Sequence, residues 1–156
     1  MLKTNQGVTL TSLVIYVIVL MIVISIMSVF SGYFLKNTKE VTINEVSKEQ
    51  YTKFLSYITK DINSGELRFI KSGTISENEP YLIFKFENEK EHQYILKNEN
   101  IYFLDINETI PKKILLCQNV STGGTHPFEY SELDKKINIK FNINKEEFST
   151  VLNINL

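Results

Sequence analysis

Cysteine and histidine are scarce in this chain, and Cys117, His92 and His126 are therefore the first candidates for chemistry. A thiolate activated by an imidazole acts as a nucleophile, and closely spaced histidines bind metals. The two histidines are far apart and show no metal-ligand spacing, and a single cysteine excludes an intrachain disulfide. We expect Cys117 to be a small buried residue in a strand and His92 to be a solvated side chain. We therefore predict no catalytic residue, no metal site, no cofactor and no enzyme.

Acidic residues offer one further candidate site. Asp105, Asn107 and Glu108 bring oxygen ligands together, but calcium takes about six to eight. The adjacent Glu146 and Glu147 are typical of a hairpin or turn surface. These acidic residues therefore predict exposed polar surface rather than a binding site.

The overall charge argues against nucleic acid as a partner. The formal net charge is −1, and the chain has no basic excess to neutralise a phosphate backbone. It also lacks a phosphate-binding glycine motif. The segment 121–128, with Gly123, Gly124 and His126, is predicted to be a loop and is the best sequence candidate for an interaction surface.

The N-terminal part of the chain stands apart in composition. Residues 4–35 contain no charged side chain, and residues 13–30 are apolar except for two serines. At about 1.5 Å per residue, a helix of about 20 apolar residues crosses a bilayer, so we predict a membrane-spanning helix. Lys3 lies before this segment and Lys36 and Lys39 lie after it, so the charges alone leave its orientation open.

The residues before the apolar segment form an ordered motif. Met1 to Gly7 is a short polar leader with Lys3, and Val8, Thr9 and Leu10 follow it directly. This arrangement resembles the type IV prepilin family over residues 1–35. The resemblance implies that a membrane aspartyl peptidase, the prepilin peptidase, cuts after Gly7 and that the new N-terminal residue, Val8, is N-methylated. Glycine suits such a cut because no side chain obstructs the backbone.

One position departs from the family motif. The fifth residue after the cut is normally Glu in this family and is Ser12 here. In the family that carboxylate pairs with the terminal amine of the subunit already assembled above. Ser12 cannot form this ion pair, so the resemblance implies a minor subunit at or near a filament tip. The alternative is that Ser12 is a tolerated variation without positional meaning.

The helix is predicted to continue into a soluble domain. Ser25, Ser28 and Gly32 share one face, where small residues would allow close helix packing; the alternative is that they are scattered small residues of a membrane helix without a packing role. In residues 36–63, apolar positions recur at steps of three and four, with charged residues including Asp61 on the opposite side. A stop is expected at Asn63, Ser64 and Gly65. The apolar stripe consists of Val46, Tyr51, Phe54, Leu55, Ile58 and Ile62.

Alternating apolar and polar residues dominate the rest of the chain. Strands are predicted at 67–70, 81–86, 93–96, 101–106, 114–120, 137–143 and 152–156. The expected fold class is α+β, with a long helix packed on an antiparallel sheet. This order loosely resembles minor pilins and pseudopilins of the J/W type. The predicted organisation is a leader at 1–7, a membrane and filament-core helix at 8–35, and an extracellular domain at 36–156.

Two functions follow from these features. The first is a minor pilin or pseudopilin that is stored in the cytoplasmic membrane as a single-pass precursor and assembled into a cell-surface filament. Its partners would be the prepilin peptidase, the assembly platform and other subunits bound through the N-terminal helix. The filament would be a type IV pilus, a type II secretion pseudopilus or a competence pseudopilus. The second is an unprocessed, membrane-anchored extracellular binding domain.

Overall fold

The computed structural model describes residues 5–75, 79–107 and 111–154, with side chains described from residue 10 onward in the helix. The chain divides into two compact units, Met1–Thr42 and Ile43–Leu156. A long apolar N-terminal helix followed by antiparallel strands confirms the predicted α+β class.

Helix α1 runs from Asn5 to Ile62 and belongs to both units. It ends where the sequence predicts, since the backbone N–H of Asn63 still donates to the carbonyl of Thr59 at 2.9 Å. Gly65 then adopts a φ of 73°, a left-handed conformation that glycine accepts without steric cost. The helix therefore stops at a glycine-containing turn that leads directly into the first strand.

The first sheet is an antiparallel meander of five strands in sequential order. Its strands are β1 (Leu67–Thr74), β2 (Pro80–Phe86), β3 (Glu91–Lys97), β4 (Asn100–Asp105) and β5 (Lys112–Cys117). The β3–β4 connection is a tight turn in which Asn98 and Glu99 have φ values of 51° and 58°. Two left-handed residues of this kind match the twist of the flanking strands.

The second sheet is built around one central strand. Its strands are β6 (Val120–Ser121), β7 (Phe128–Ser131), β8 (Lys136–Ile143) and β9 (Glu146–Asn153). Strands β6 and β7 pair with successive parts of β8, and β9 pairs with β8 along its whole length. The predicted single sheet is thus wrong in detail, because the strands of the described ranges divide between two sheets.

Backbone and side-chain hydrogen bonds join the two sheets at β1 and β7. The backbone N–H of Tyr130 donates to the Ser72 hydroxyl at 3.1 Å. An imidazole nitrogen of His126 lies 3.0 Å from the carbonyl oxygen of Gly73. These contacts place the glycine-containing segment before β7 against the end of β1.

The core lies between the sheets and the second half of α1. Phe54 and Ile58 of the helix are fully buried, and Phe54 contacts the rings of Tyr94, Phe128 and Phe141. Aromatic side chains dominate such cores because each removes a large apolar area from water. The predicted stripe is confirmed at Phe54 and Ile58, but Val46 is 41% exposed and lies outside the core.

The predicted strands differ from the observed ones in several places. The predicted strand at 114–120 is divided between β5, which ends at Cys117, and β6, which begins at Val120 in the other sheet. Strand β7 was not predicted, because its four residues include Glu129 and Ser131 and give only a short alternation. Strand β9 begins at Glu146, so Glu146 and Glu147 are strand residues, and the turn consists of Asn144 and Lys145. The predicted end of the last strand, at 155–156, lies outside the described residues.

Candidate functional site

The exposed apolar surface of α1 is the most unusual feature of the molecule. Every side chain from Leu10 to Leu35 is exposed, although the segment contains no charged residue. Its most apolar 18-residue window has a mean hydropathy of 3.0, and none of that window is buried. This N-terminal helix is therefore long and apolar enough to span a membrane. Soluble proteins rarely expose contiguous apolar surface of this extent, so the helix is suited to an apolar environment.

Two serines in the middle of the apolar segment can be buried in an apolar phase. The hydroxyl of Ser25 donates to the carbonyl of Met21 at 2.8 Å, and Ser28 donates to Ile24 at 2.9 Å. Because both hydroxyls are satisfied within the helix, they can enter hydrocarbon without an unpaired donor. A side chain built at Gly32 would meet no atom of the described residues within 4 Å, so none of these residues requires a glycine here. Helix packing at this face stays a prediction.

The predicted processing motif lies at the start of α1. The backbone at Gly7 and Val8 is helical, whereas residues 1–4 and the side chains of Val8 and Thr9 lie outside the described part of the chain. Leu10 and Ser12 are described, and both are exposed on the helix surface. Cleavage after Gly7 and methylation of Val8 stay predictions.

A buried polar cluster lies where α1 ends against the first sheet. The carboxylate of Asp61, only 6% exposed, accepts hydrogen bonds from the Tyr94 hydroxyl at 2.6 Å and His92 Nδ1 at 2.9 Å. On its other side, His92 Nε2 lies 3.8 Å from Asp105 Oδ2. The rings of Phe86 and Phe103 flank the imidazole at 4.9 and 5.0 Å.

This polar cluster corrects two predictions from sequence. His92 is half-buried rather than solvated, and Asp61 is buried rather than on the wet side of the helix. Burial, followed by the charge of Asp61, raises the pKa of the Tyr94 hydroxyl, so Tyr94 stays a hydrogen-bond donor. The carboxylate of Asp61 thus binds both His92 and Tyr94, which fixes the end of the helix to β3.

The spacing of these residues carried a signal that the prediction missed. Asp61 follows Phe54 and Ile58 at helical steps of seven and three, which places it on the buried face. His92 shares one face of β3 with Tyr94 by strict alternation. A polar residue in phase with a buried pattern indicates a paired group in the core.

Cys117 is confirmed as a small buried residue at the end of a strand. Its thiol lies 3.5 Å from the backbone carbonyl of Gln50, and burial raises its pKa to about 12. A thiol that stays protonated is a poor nucleophile at neutral pH. The arrangement therefore gives Cys117 a packing role.

His126 is fixed by backbone carbonyls. Its Nδ1 lies 2.6 Å from the carbonyl oxygen of Phe128, and its Nε2 lies 3.0 Å from that of Gly73 and 3.2 Å from the Thr74 hydroxyl. Both ring nitrogens thus face groups that hold the junction between the sheets, and His126 does not activate the Cys117 thiol.

The predicted interaction loop is narrower than 121–128. Ser121 belongs to β6, and Pro127 and Phe128 are buried. The exposed parts are Ser121 and the turn at residues 123–125, where the backbone N–H of Thr125 donates to the carbonyl of Thr122 at 3.1 Å. These residues remain available for contact.

Metal ligands do not converge in the described ranges. No group of three or more His, Cys, Asp and Glu side chains within them could hold a metal ion. Asp105 Oδ1 already accepts from the backbone and side-chain amides of Asn107, at 3.2 and 2.6 Å, and Glu108 lies outside the described residues. No family model, curated protein or solved structure matches this chain.

Proposed function

We propose that this chain is a prepilin-like subunit that is anchored by α1, cut after Gly7 and assembled into a type IV pilus-like filament. The observation that carries the proposal is the uncharged, exposed part of α1, up to Leu35, which contains Gly7, Val8 and Thr9 near its start and leads into an α+β domain. A helix of this kind serves first as a membrane anchor and then as the apolar core of a filament. In both settings, apolar neighbours replace water around the side chains of the helix.

Processing would occur at the first turns of α1. A peptidase at the membrane surface would cleave the bond after Gly7, and methylation would follow at the new terminus, Val8. The first turn of a helix lacks part of its backbone hydrogen bonding, so these residues can unwind into a protease site at small cost. The leader, with Lys3, would remain on the cytoplasmic side of the membrane.

The residue at position 12 bears on where the subunit would lie in the filament. A carboxylate at this depth costs about 2.5–3.5 kcal/mol to insert unless it is paired. Ser12 avoids this cost, but it cannot bind the terminal amine of a subunit above. The amine of Val8 remains available to a subunit added below. We therefore place this chain as a minor subunit at or near the filament tip.

Other subunits would contact the chain through the apolar helix, including the face of Ser25, Ser28 and Gly32. The precursor would reside in the cytoplasmic membrane and meet the prepilin peptidase and the assembly platform there. The filament would belong to a pilus, a type II secretion or a competence system. The soluble domain would face the exterior, where its stability depends on packing, since a single cysteine permits no intrachain disulfide.

Mass spectrometry of the mature N terminus tests the proposal most directly. A chain that starts at methylated Val8 is expected in cells with a prepilin peptidase, and the intact leader is expected in cells without one. Gly7→Val should block the cut because a branched side chain obstructs the backbone, whereas Gln6→Ala is the matched control that should be processed. An intact leader in both strains would support a membrane-anchored extracellular domain instead.

The position at the tip has its own test. Ser12→Glu restores the carboxylate, and we expect the variant to move from the tip into the shaft and to change the number of filaments. Ser12→Ala is the matched control, because it keeps the position uncharged. Unchanged filament number and subunit position in the Ser12→Glu strain would contradict the tip assignment while leaving the cleavage result unaffected.

A further inference from the structure

Strand β9 forms an open edge of the second sheet. It pairs with β8 over eight consecutive residues without a bulge, from Glu146 to Asn153. Within the described ranges, no strand pairs with its other side. An edge of this length and regularity is a template for a further strand.

The hairpin fixes which backbone groups of β9 point outward. Asn144 and Lys145 form the two-residue turn, so Ile143 and Glu146 close it with backbone hydrogen bonds. Hydrogen-bonded and non-hydrogen-bonded pairs alternate from there along an antiparallel ladder. The amide and carbonyl groups directed to the open edge therefore belong to Glu147, Ser149, Val151 and Asn153. All four side chains are exposed, with Val151 at 56%.

At β5 and β6, the chain itself supplies hydrogen-bond partners to part of the edge. At β5, the ammonium group of Lys53 donates to the carbonyl of Leu115 at 3.0 Å, and directly after β5 the backbone N–H of Gln118 donates to Gln50 Oε1 at 2.7 Å. At β6, the amide of Val120 donates to the carbonyl of Glu99 at 2.8 Å.

Strand β9 is protected by charge only at its start. It has no proline, and its charges are confined to one end, where Glu147 pairs with Lys140 at 2.9 Å. The rest of the strand, from Phe148 to Leu152, is neutral and rich in β-branched and aromatic residues. The contrast with the covered edges marks β9 as a surface for strand addition.

We propose that β9 pairs with β9 of a second copy of this chain, antiparallel and with a two-fold axis at Thr150. In this register Glu147 lies opposite Asn153 of the second copy, and Ser149 lies opposite Val151 of the second copy. All four outward-facing residues find partners, and no like charges face each other. Shifting the axis to Ser149 leaves Asn153 without a partner in β9, and shifting it to Val151 leaves Glu147 without a partner among the described residues of β9.

Self-complementarity of this kind is what an isologous interface requires. The pairing uses few side-chain contacts, and each hydrogen bond adds little net free energy, so it needs a high local concentration. Anchoring both copies in one membrane supplies this. The inference depends on the anchor but not on cleavage after Gly7, so it stands whether or not the chain enters a filament.

Disulfide cross-linking of the full chain in membranes tests the register. Residues opposite each other in an antiparallel pair lie about 4.5–5.5 Å apart at Cα, within the range that a disulfide spans. Thr150→Cys should therefore form a dimer on mild oxidation. Ser149→Cys or Val151→Cys alone should give several times less cross-linked dimer than Thr150→Cys. The two variants expressed together should form a mixed dimer, because positions 149 and 151 lie opposite each other in the proposed register. The unsubstituted chain, whose Cys117 is buried, is the background control.

A second variant separates pairing from folding. Ser149→Pro removes an outward N–H without removing a bond to β8, so it should abolish cross-linking through Thr150→Cys while the denaturation midpoint stays unchanged. Ser149→Ala keeps the N–H, so a chain with Ser149→Ala and Thr150→Cys should cross-link as well as the chain with Thr150→Cys alone. Equal yields at positions 149, 150 and 151, persistence after Ser149→Pro, or cross-links only to a different protein would each overturn the proposal.

Discussion

The two halves of α1 share one backbone conformation but depend on different surroundings. From Leu10 to Leu35 the helix is uncharged and wholly exposed, whereas from Ile43 to Ile62 it presents a buried stripe to a folded domain. Helical hydrogen bonds form in both halves, so they do not explain the difference. The side chains do, because those of the first half are exposed in the described part of the chain, whereas the second half packs against two sheets.

This comparison shows where the stabilising free energy of each half must come from. Short helices in water are marginal, and most helical stability in proteins comes from packing. The second half obtains this packing from its own domain through Phe54 and Ile58. The first half must obtain it from lipid or from other helices. Substitutions in the two halves should therefore be measured by different experiments.

The largest effect is expected in the domain half. Phe54→Ala removes a fully buried ring that contacts Tyr94, Phe128 and Phe141, and should lower the free energy of unfolding by about 3–5 kcal/mol. Denaturant titration of the full chain in detergent measures this, and alkylation of Cys117 reports the opening of the core. Leu133→Ala, at a side chain 99% exposed, is the matched control and should change little. An unchanged midpoint for Phe54→Ala would contradict the assigned core.

The next largest effect is expected on membrane insertion of the first half of α1. Ile22→Arg places a charge in the centre of the apolar segment and should disfavour insertion by about 2.5–3.5 kcal/mol. A membrane-insertion assay that scores spanning against non-spanning chains measures this, with Ile22→Leu as the control. The unfolding midpoint of the domain should be the same in all three chains. A shift in that midpoint would show that the two halves are not energetically separate.

A smaller effect is expected at the polar cluster where the helix ends. Asp61→Ala leaves the Tyr94 hydroxyl and His92 Nδ1 buried without their acceptor and should cost about 1–3 kcal/mol of unfolding free energy. In a double-mutant cycle, Tyr94→Phe should cost less in the Asp61→Ala background than alone. Lys60→Ala, at the neighbouring exposed position, is the control. Additive effects of Asp61→Ala and Tyr94→Phe would show that the pair is not coupled.

The smallest effect concerns the β8–β9 turn. Lys145 has a φ of 74°, so Lys145→Gly should relieve strain and raise the unfolding free energy by about 0.5–1 kcal/mol. Asn144→Gly is the matched comparison. It removes side-chain hydrogen bonds to Asn119 and Ser47, both at 3.0 Å, and should destabilise the domain by about 1 kcal/mol. Equal responses of the two variants to denaturant would contradict this reading of the turn.

Regular elements were predictable where the local pattern was long. The stop of α1 before Gly65 and the strand at 137–143 were found because a helical stripe or an alternation over many residues is unambiguous. Strand β7 was missed because four residues give too short a pattern. The start of β9 was missed because two adjacent glutamates favour a turn when read locally, whereas Asn144 and Lys145 make the turn in the fold.

The sequence by itself determined the uncharged N-terminal helix, the amphipathic continuation and the α+β class, since these depend on the order of residues along one segment. Only the tertiary structure decided that Asp61 and His92 meet in the core, that the strands divide between two sheets and that β9 keeps an open edge. These features depend on which segments become neighbours. A local pattern of period two or 3.6 specifies a buried face but does not specify the partner that covers it.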